Sequence, residues 1–140
     1  MIKALKQLYL REQYEPSYLS IFFNAGYFSK GRIYKYLQLC APGLKGNLLD
    51  VGCGQKPYRK LFNVEKYTGI EIASEANKAP KGAVDALYNG EEIPFGDATF
   101  DSVFSSEVFE HVFNLDTVLK EIYRVTKPGG QLLITSEVEN

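Results

Sequence analysis

The segment "LLDVGCGQKPYRKLF", residues 48–62, decides how the rest of the chain is read. Leu48 and Leu49 run into an acid, Asp50, then Val51, and the chain breaks into Gly52-Cys53-Gly54. A short apolar run bounded by glycine is the pattern of a buried strand leaving through a tight turn. Glycines there admit left-handed backbone and let a ligand come close to the main chain. In an open α/β sheet, such a turn after the first strand receives a nucleotide. The dinucleotide fingerprint, however, wants G-x-G-x-x-G, and here the third place is Pro57. Asp50 beside a pyrophosphate would also be repelled, by about 1 kcal/mol or more per charge pair at contact. A nicotinamide oxidoreductase is therefore disfavoured. The same carboxylate would welcome a nucleoside whose near end is a cation. S-adenosylmethionine has those parts: adenosine, a sulfonium and an α-amino group.

Strands and helices alternate outward from that segment. "KYTGIEI" reads as a second strand, "GAVDAL" holds a short third one, "TFDSVFSS" is a fourth and "QLLIT" a fifth. Three consecutive apolar residues, Leu132-Leu133-Ile134, predict a fifth strand buried on both faces. Pro57 suits the first turn of a helix over "PYRKLF". "LDTVLKEIYRVT" carries Val118, Leu119, Ile122 and Val125 at helical spacing, with Asp116 as N-cap and "KPGG" as the stop. The alternation predicts an α/β layer structure: a Rossmann-like, mostly parallel sheet flanked by helices. Residues 1–40 form an aromatic helical lead-in, divided at Gly26 and Gly31, and residues 41–140 form the sheet domain.

Composition narrows the function classes. The chain has 140 residues, 45% hydrophobic and 24% charged, with a formal net charge of -1. That charge gives no field for nucleic acid, and no run of about 18 apolar residues spans a bilayer. Two cysteines, Cys40 and Cys53, and one histidine, His111, make neither a disulfide framework nor a zinc site. A reducing, cytoplasmic setting is expected, with no metal.

Two further acids follow strands. Glu71 closes the second strand about 20 positions after Asp50, where an acid holds ribose hydroxyls; otherwise it is an ordinary exposed or capping acid. Asp85 follows the short third strand, where it would accept from an adenine amino group beside the backbone of Ala86; otherwise it is a turn residue. Cys53 reads as a compact filler between the glycines.

"LLDVGCG", "YTGIEI", "VDALYNGEEIPFGDATFDSVFSSEVFEHV" and "LKEIYRVTKPGGQLLIT", in that order, resemble the class I S-adenosylmethionine-dependent methyltransferases of the type 11 group. The resemblance covers about residues 30–135. It implies strand order 3-2-1-4-5. It implies that Asp50, Gly52 and Gly54 meet the methionine end of the cofactor, Glu71 the ribose, Ile72 the adenine face, and Asp85 with Ala86 the adenine edge. Ser105 would line the pocket near the sulfonium. His111, in "FEHV", is the candidate general base, against the plainer reading of a surface or supporting histidine. Glu107 and Glu110 have weaker claims.

The acceptor is expected to be a small molecule or a glycan. The aromatic lead-in, with Lys30, Arg32 and Lys35, reads as a cover for the sheet or as a surface for that acceptor. The family's sheet has further strands after the fifth. Their absence from this sequence implies an open edge at "QLLIT", and with it self-association, a partner, or a fragment that binds cofactor without turnover.

Overall fold

Five runs of apolar residues flanked by glycine and polar turns become strands, and all of them pair in parallel. In the computed structural model, which describes residues 27–76, 79 and 81–136, they are β1 Asn47–Val51, β2 Lys66–Ile72, β3 Ala86–Tyr88, β4 Phe100–Ser106 and β5 Thr126–Thr135. Their order is β3-β2-β1-β4-β5, the order that the family resemblance implies. β1 sits at the centre, with Asp50 opposite Gly69 of β2 and Phe104 of β4. Parallel pairing sends every carboxyl end to one side, so β1, β2, β3 and β4 open together around Val51, Ile72, Tyr88 and Ser106.

The described helices are α1 Tyr27–Cys40, α2 Ala73–Ala76 and α3 Leu115–Val125. α1 runs through Gly31 without a break, so that glycine does not divide the lead-in as expected. It belongs to a unit separate from the sheet unit that begins at Ala41. The other expected division, at Gly26, and the rest of the aromatic lead-in before Tyr27 lie outside the described residues.

α3 covers one face of the sheet. Its Val118, Ile122 and Val125 meet Leu49, Val51, Ile70, Val103 and Phe100 in a single apolar cluster. Each such buried side chain contributes about 1.5–3 kcal/mol. On the opposite face Phe62 packs on Phe104, ring centroids 4.7 Å apart, and Tyr58 meets Phe104 edge-on. Arg124 fixes α3 to the loop before β4: it donates to Glu121, to Asp97 and to the carbonyls of Ile93 and Phe95.

Four local expectations are corrected. The cap of α3 is Asn114, whose side chain accepts from the Thr117 N–H, and Asp116 lies in the first turn, where its charge suits the helix dipole. "PYRKLF" forms only a 3₁₀ turn at Arg59–Leu61 and no α-helix. β5 begins directly after α3, at Thr126, and pairs Phe100 with Thr126 but Ser102 with Gln131. Lys127–Gly130 therefore bulges out of register around Pro128, which has no N–H, and Gly129, at φ 77°. β5 is also not buried on both faces: Leu132 and Ile134 are exposed on the outermost strand, and Leu133 is half-buried.

Candidate functional site

The glycine turn is held from beneath by β2 and β4. The N–H groups of Gly52 and Cys53 both donate to the Ile70 carbonyl, at 2.9 and 3.0 Å. The Ser105 hydroxyl donates to the Val51 carbonyl at 2.8 Å. Gly52 has φ 75°, and a Cβ there would lie 2.3 Å from Val108, so both its backbone and its surroundings exclude a side chain. Ser105 is thus brought to the turn, with its hydroxyl committed to the strand end.

Glu71, nearly buried at the end of β2, joins the turn directly. One carboxylate oxygen accepts from the Gly54 N–H and the other from the Ile72 N–H, each at 2.9 Å. Ile72 is half-buried opposite Tyr88. Asp50 lies below the same turn, only 3% exposed, and accepts from the Tyr67 hydroxyl at 2.5 Å. Burial pushes its carboxyl up to about 7, against the pull of that hydrogen bond and of Lys56, while the Glu71 charge pushes the same way as burial. Burial also pushes the Cys53 thiol up to about 12, which leaves it unreactive and suits the filler reading.

Two residues stand before a strand, not after it. Ala86 is the first residue of β3 and pairs with Ile70, which also pairs with Val51, so Asp85 and Ala86 precede β3 at the level of Asp50 and Val51. There Asp85 accepts from the Gly69 N–H at 2.7 Å and from the Lys56 ammonium at 2.5 Å. These donors outweigh its partial burial and hold its carboxyl below the ordinary range. The carboxyl end of β3 is instead Tyr88-Asn89-Gly90. The Asn89 side chain accepts from the N–H groups of Glu91 and Glu92, and a Cβ on Gly90 would lie 3.6 Å from Ile72. An open cavity of about 500 Å³ lies here, lined by Ala73, Leu87, Tyr88, Asn89, Glu92 and Pro94. The Asn-Gly pair was the signal for the strand end. Gly69 is a second omission: a Cβ on it would meet Lys56 and Cys53 at under 3 Å, so this strand glycine lets the turn lie on the sheet.

His111 stands in the 3₁₀ turn Phe109–His111 after β4, exposed, on the side where the carboxyl ends open. No cluster of metal-ligating side chains occurs among the described residues. Nor is any described helix long and apolar enough to cross a membrane.

A family pattern described as a methyltransferase domain matches residues 49–134, from β1 through β5. This chain belongs to that family. It is 31% identical over 113 residues to an O-methyltransferase of Penicillium expansum, covering 71% of this chain and 41% of that protein. It is 30% identical over 111 residues to the malonyl-acyl-carrier-protein O-methyltransferase of Erwinia pyrifoliae, covering 75% and 42%. Among solved structures, a methyltransferase fold from Bacillus halodurans superposes with a TM-score of 0.59 at 29% identity, over 71% of this chain and 48% of that one. The chain thus spans less than half the length of these relatives.

Proposed function

We propose that this chain binds S-adenosylmethionine over the glycine turn and serves a methyltransferase acting on a small-molecule or saccharide-linked acceptor. The observation that carries the reading is the glycine turn after central β1 with two nearly buried acids, Asp50 and Glu71, at the carboxyl ends of adjacent strands. The donor set suits the cofactor's chemistry. Glu71 has the geometry to take ribose hydroxyls in exchange for, or beside, the backbone N–H groups it now holds. Asp50 gives negative charge to an α-amino group, and Gly52 and Gly54 leave the main chain bare for the methionine end. Ile72 offers an apolar edge to the adenine. Asn89 and Gly90 follow β3 and are the better candidates for the adenine edge than Asp85 and Ala86, which precede its end. Ser105 supports the turn through Val51.

When bound, the cofactor supplies an electrophilic methyl group on sulfur. The protein's part is orientation, which in favourable cases is worth roughly 7–11 kcal/mol. A carboxylate acceptor needs no base; for a hydroxyl acceptor His111 is the candidate to take the proton.

A second reading is a cofactor-binding module that works only with a further segment or subunit. It is favoured by Leu132 and Ile134, exposed on an outermost strand that offers a template for pairing or self-association.

Calorimetric titration with S-adenosylmethionine, S-adenosylhomocysteine and NAD tests the binding step. Binding of both adenosyl compounds and no response to NAD is expected; tight NAD binding alone would overturn the proposal. Labelled cofactor offered with pools of acceptors then separates an active enzyme from the module.

A further inference from the structure

Asp50 is a buried acid whose hydrogen-bond donor among the described residues is not a backbone N–H or a cation but the hydroxyl of Tyr67, on the neighbouring strand. Tyr67 is itself well fixed. The Arg59 guanidinium lies 4.8 Å from its ring centroid, Lys56 lies 6.0 Å away, and Phe62 packs on it at 5.8 Å. The ring therefore has little freedom, and its hydroxyl is delivered to one carboxylate oxygen. A short hydrogen bond to a carboxylate is about twice as strong as a neutral one. It is nevertheless a single neutral donor for a group that burial disfavours as an anion.

We infer that Tyr67 is a positioning residue of the proposed cofactor site, holding the Asp50 carboxylate in place for the cationic end of the ligand and coupling binding to release of a proton from Asp50. The inference rests on the cofactor reading above, but it concerns a residue that the glycine-turn motif does not include.

Among the described residues, the charged and titratable groups around Asp50 are few. Glu71 on β2 opposes its ionisation and Lys56 in the turn favours it. Arg59 acts on Tyr67, and Cys53 beside it stays protonated. Asp85, on the far side of Lys56, is engaged with that lysine and with Gly69. From β4 the aligned neighbour is Phe104, which carries no charge. Burial pushes the Asp50 carboxyl of the ligand-free protein up to about 7. An arriving ammonium favours the carboxylate, so binding expels the proton wherever Asp50 is still protonated. Affinity is then full above that midpoint and falls as the pH drops through it.

The experiment measures the affinity of S-adenosylhomocysteine from pH 5.5 to 9 for the wild type, Tyr67→Phe and Asp50→Asn, with a thermal melt of each. Removing the hydroxyl removes a hydrogen bond to a charged group, so the midpoint should rise by about 1–2 pH units. Tyr67→Phe should then bind roughly ten-fold more weakly at pH 7 and converge on the wild type near pH 9. Asp50→Asn, which cannot ionise, should lose this pH dependence, and it carries the test if Tyr67→Phe does not fold. In the ligand-free protein, carboxyl chemical shifts should report the same rise in the Asp50 midpoint. A Tyr67→Phe profile that weakens equally at every pH, or that matches the wild type, overturns the inference and leaves the cofactor reading intact. A pH dependence unchanged in Asp50→Asn overturns it as well. Absence of binding by the wild type at any pH overturns both.

Discussion

The two ends of the sheet treat their acids differently. At the amino ends Asp101 takes the Asn47 N–H and the Lys127 ammonium, and Asp85, ahead of β3 and level with Asp50, likewise takes an N–H from Gly69 and the ammonium of Lys56. Both carboxyls are held below the ordinary range. At the carboxyl ends Asp50 has a tyrosine hydroxyl and is pushed up to about 7 by burial, while Glu71 holds two turn N–H groups. An acid with a cation and an N–H is already satisfied and serves the fold. An acid buried with a single neutral donor is destabilising as it stands, and its charge becomes favourable only when a cation arrives. The difference separates structural acids from ligand acids within one sheet.

The largest expected effect is on the turn itself. Gly52→Ala adds backbone strain of roughly 1–3 kcal/mol to overpacking against Val108 of roughly 1–3 kcal/mol. Denaturant unfolding should show a loss of about 4 kcal/mol, with cofactor binding abolished.

Next comes Asp50→Asn. Because the folded-state carboxyl is raised from 3.8 to about 7, its contribution is fully present below the unfolded value and is lost as pH rises through about 7. The amide has no such loss. The variant should therefore be more stable than wild type at pH 8, by up to about 4 kcal/mol, with the gap closing toward pH 4. Equal stability at all pH values would mean that the buried charge is compensated, and the contrast between the two ends would fail.

Glu71→Ala should cost about 1.5–3 kcal/mol of cofactor affinity in a folded protein. Asp101→Ala should show the smallest effect, a slight loss of stability from the solvent-screened Asn47 and Lys127 contacts, with affinity unchanged.

The parts of this picture legible in the sequence are those where one signal dominates. Leu48-Leu49 followed by Gly52 and Gly54 leaves little choice for β1 and its turn, and Glu71 follows from the apolar run of β2. Asp85 precedes β3 instead of following it; β3 has only three residues, too short for a pattern, and an acid after "AV" resembles the ends of β1 and β2. Its register is fixed by the pairing of Ala86 with Ile70, a tertiary fact. Asp116 lost the cap of α3 to Asn114 because both are good caps and only the entering backbone chooses between them. The Tyr67–Asp50 bond spans two strands and depends on Arg59 and Phe62 fixing the ring, none of which spacing along the chain reveals.

The most direct test pairs Glu71→Ala with Asp101→Ala and measures S-adenosylhomocysteine affinity by calorimetry at a temperature where both are folded. The carboxyl-end variant should lose affinity at least ten-fold, and the amino-end variant should bind like the wild type. Equal losses in the two, or a wild-type affinity for Glu71→Ala, would contradict the division of the sheet into a ligand end and a structural end.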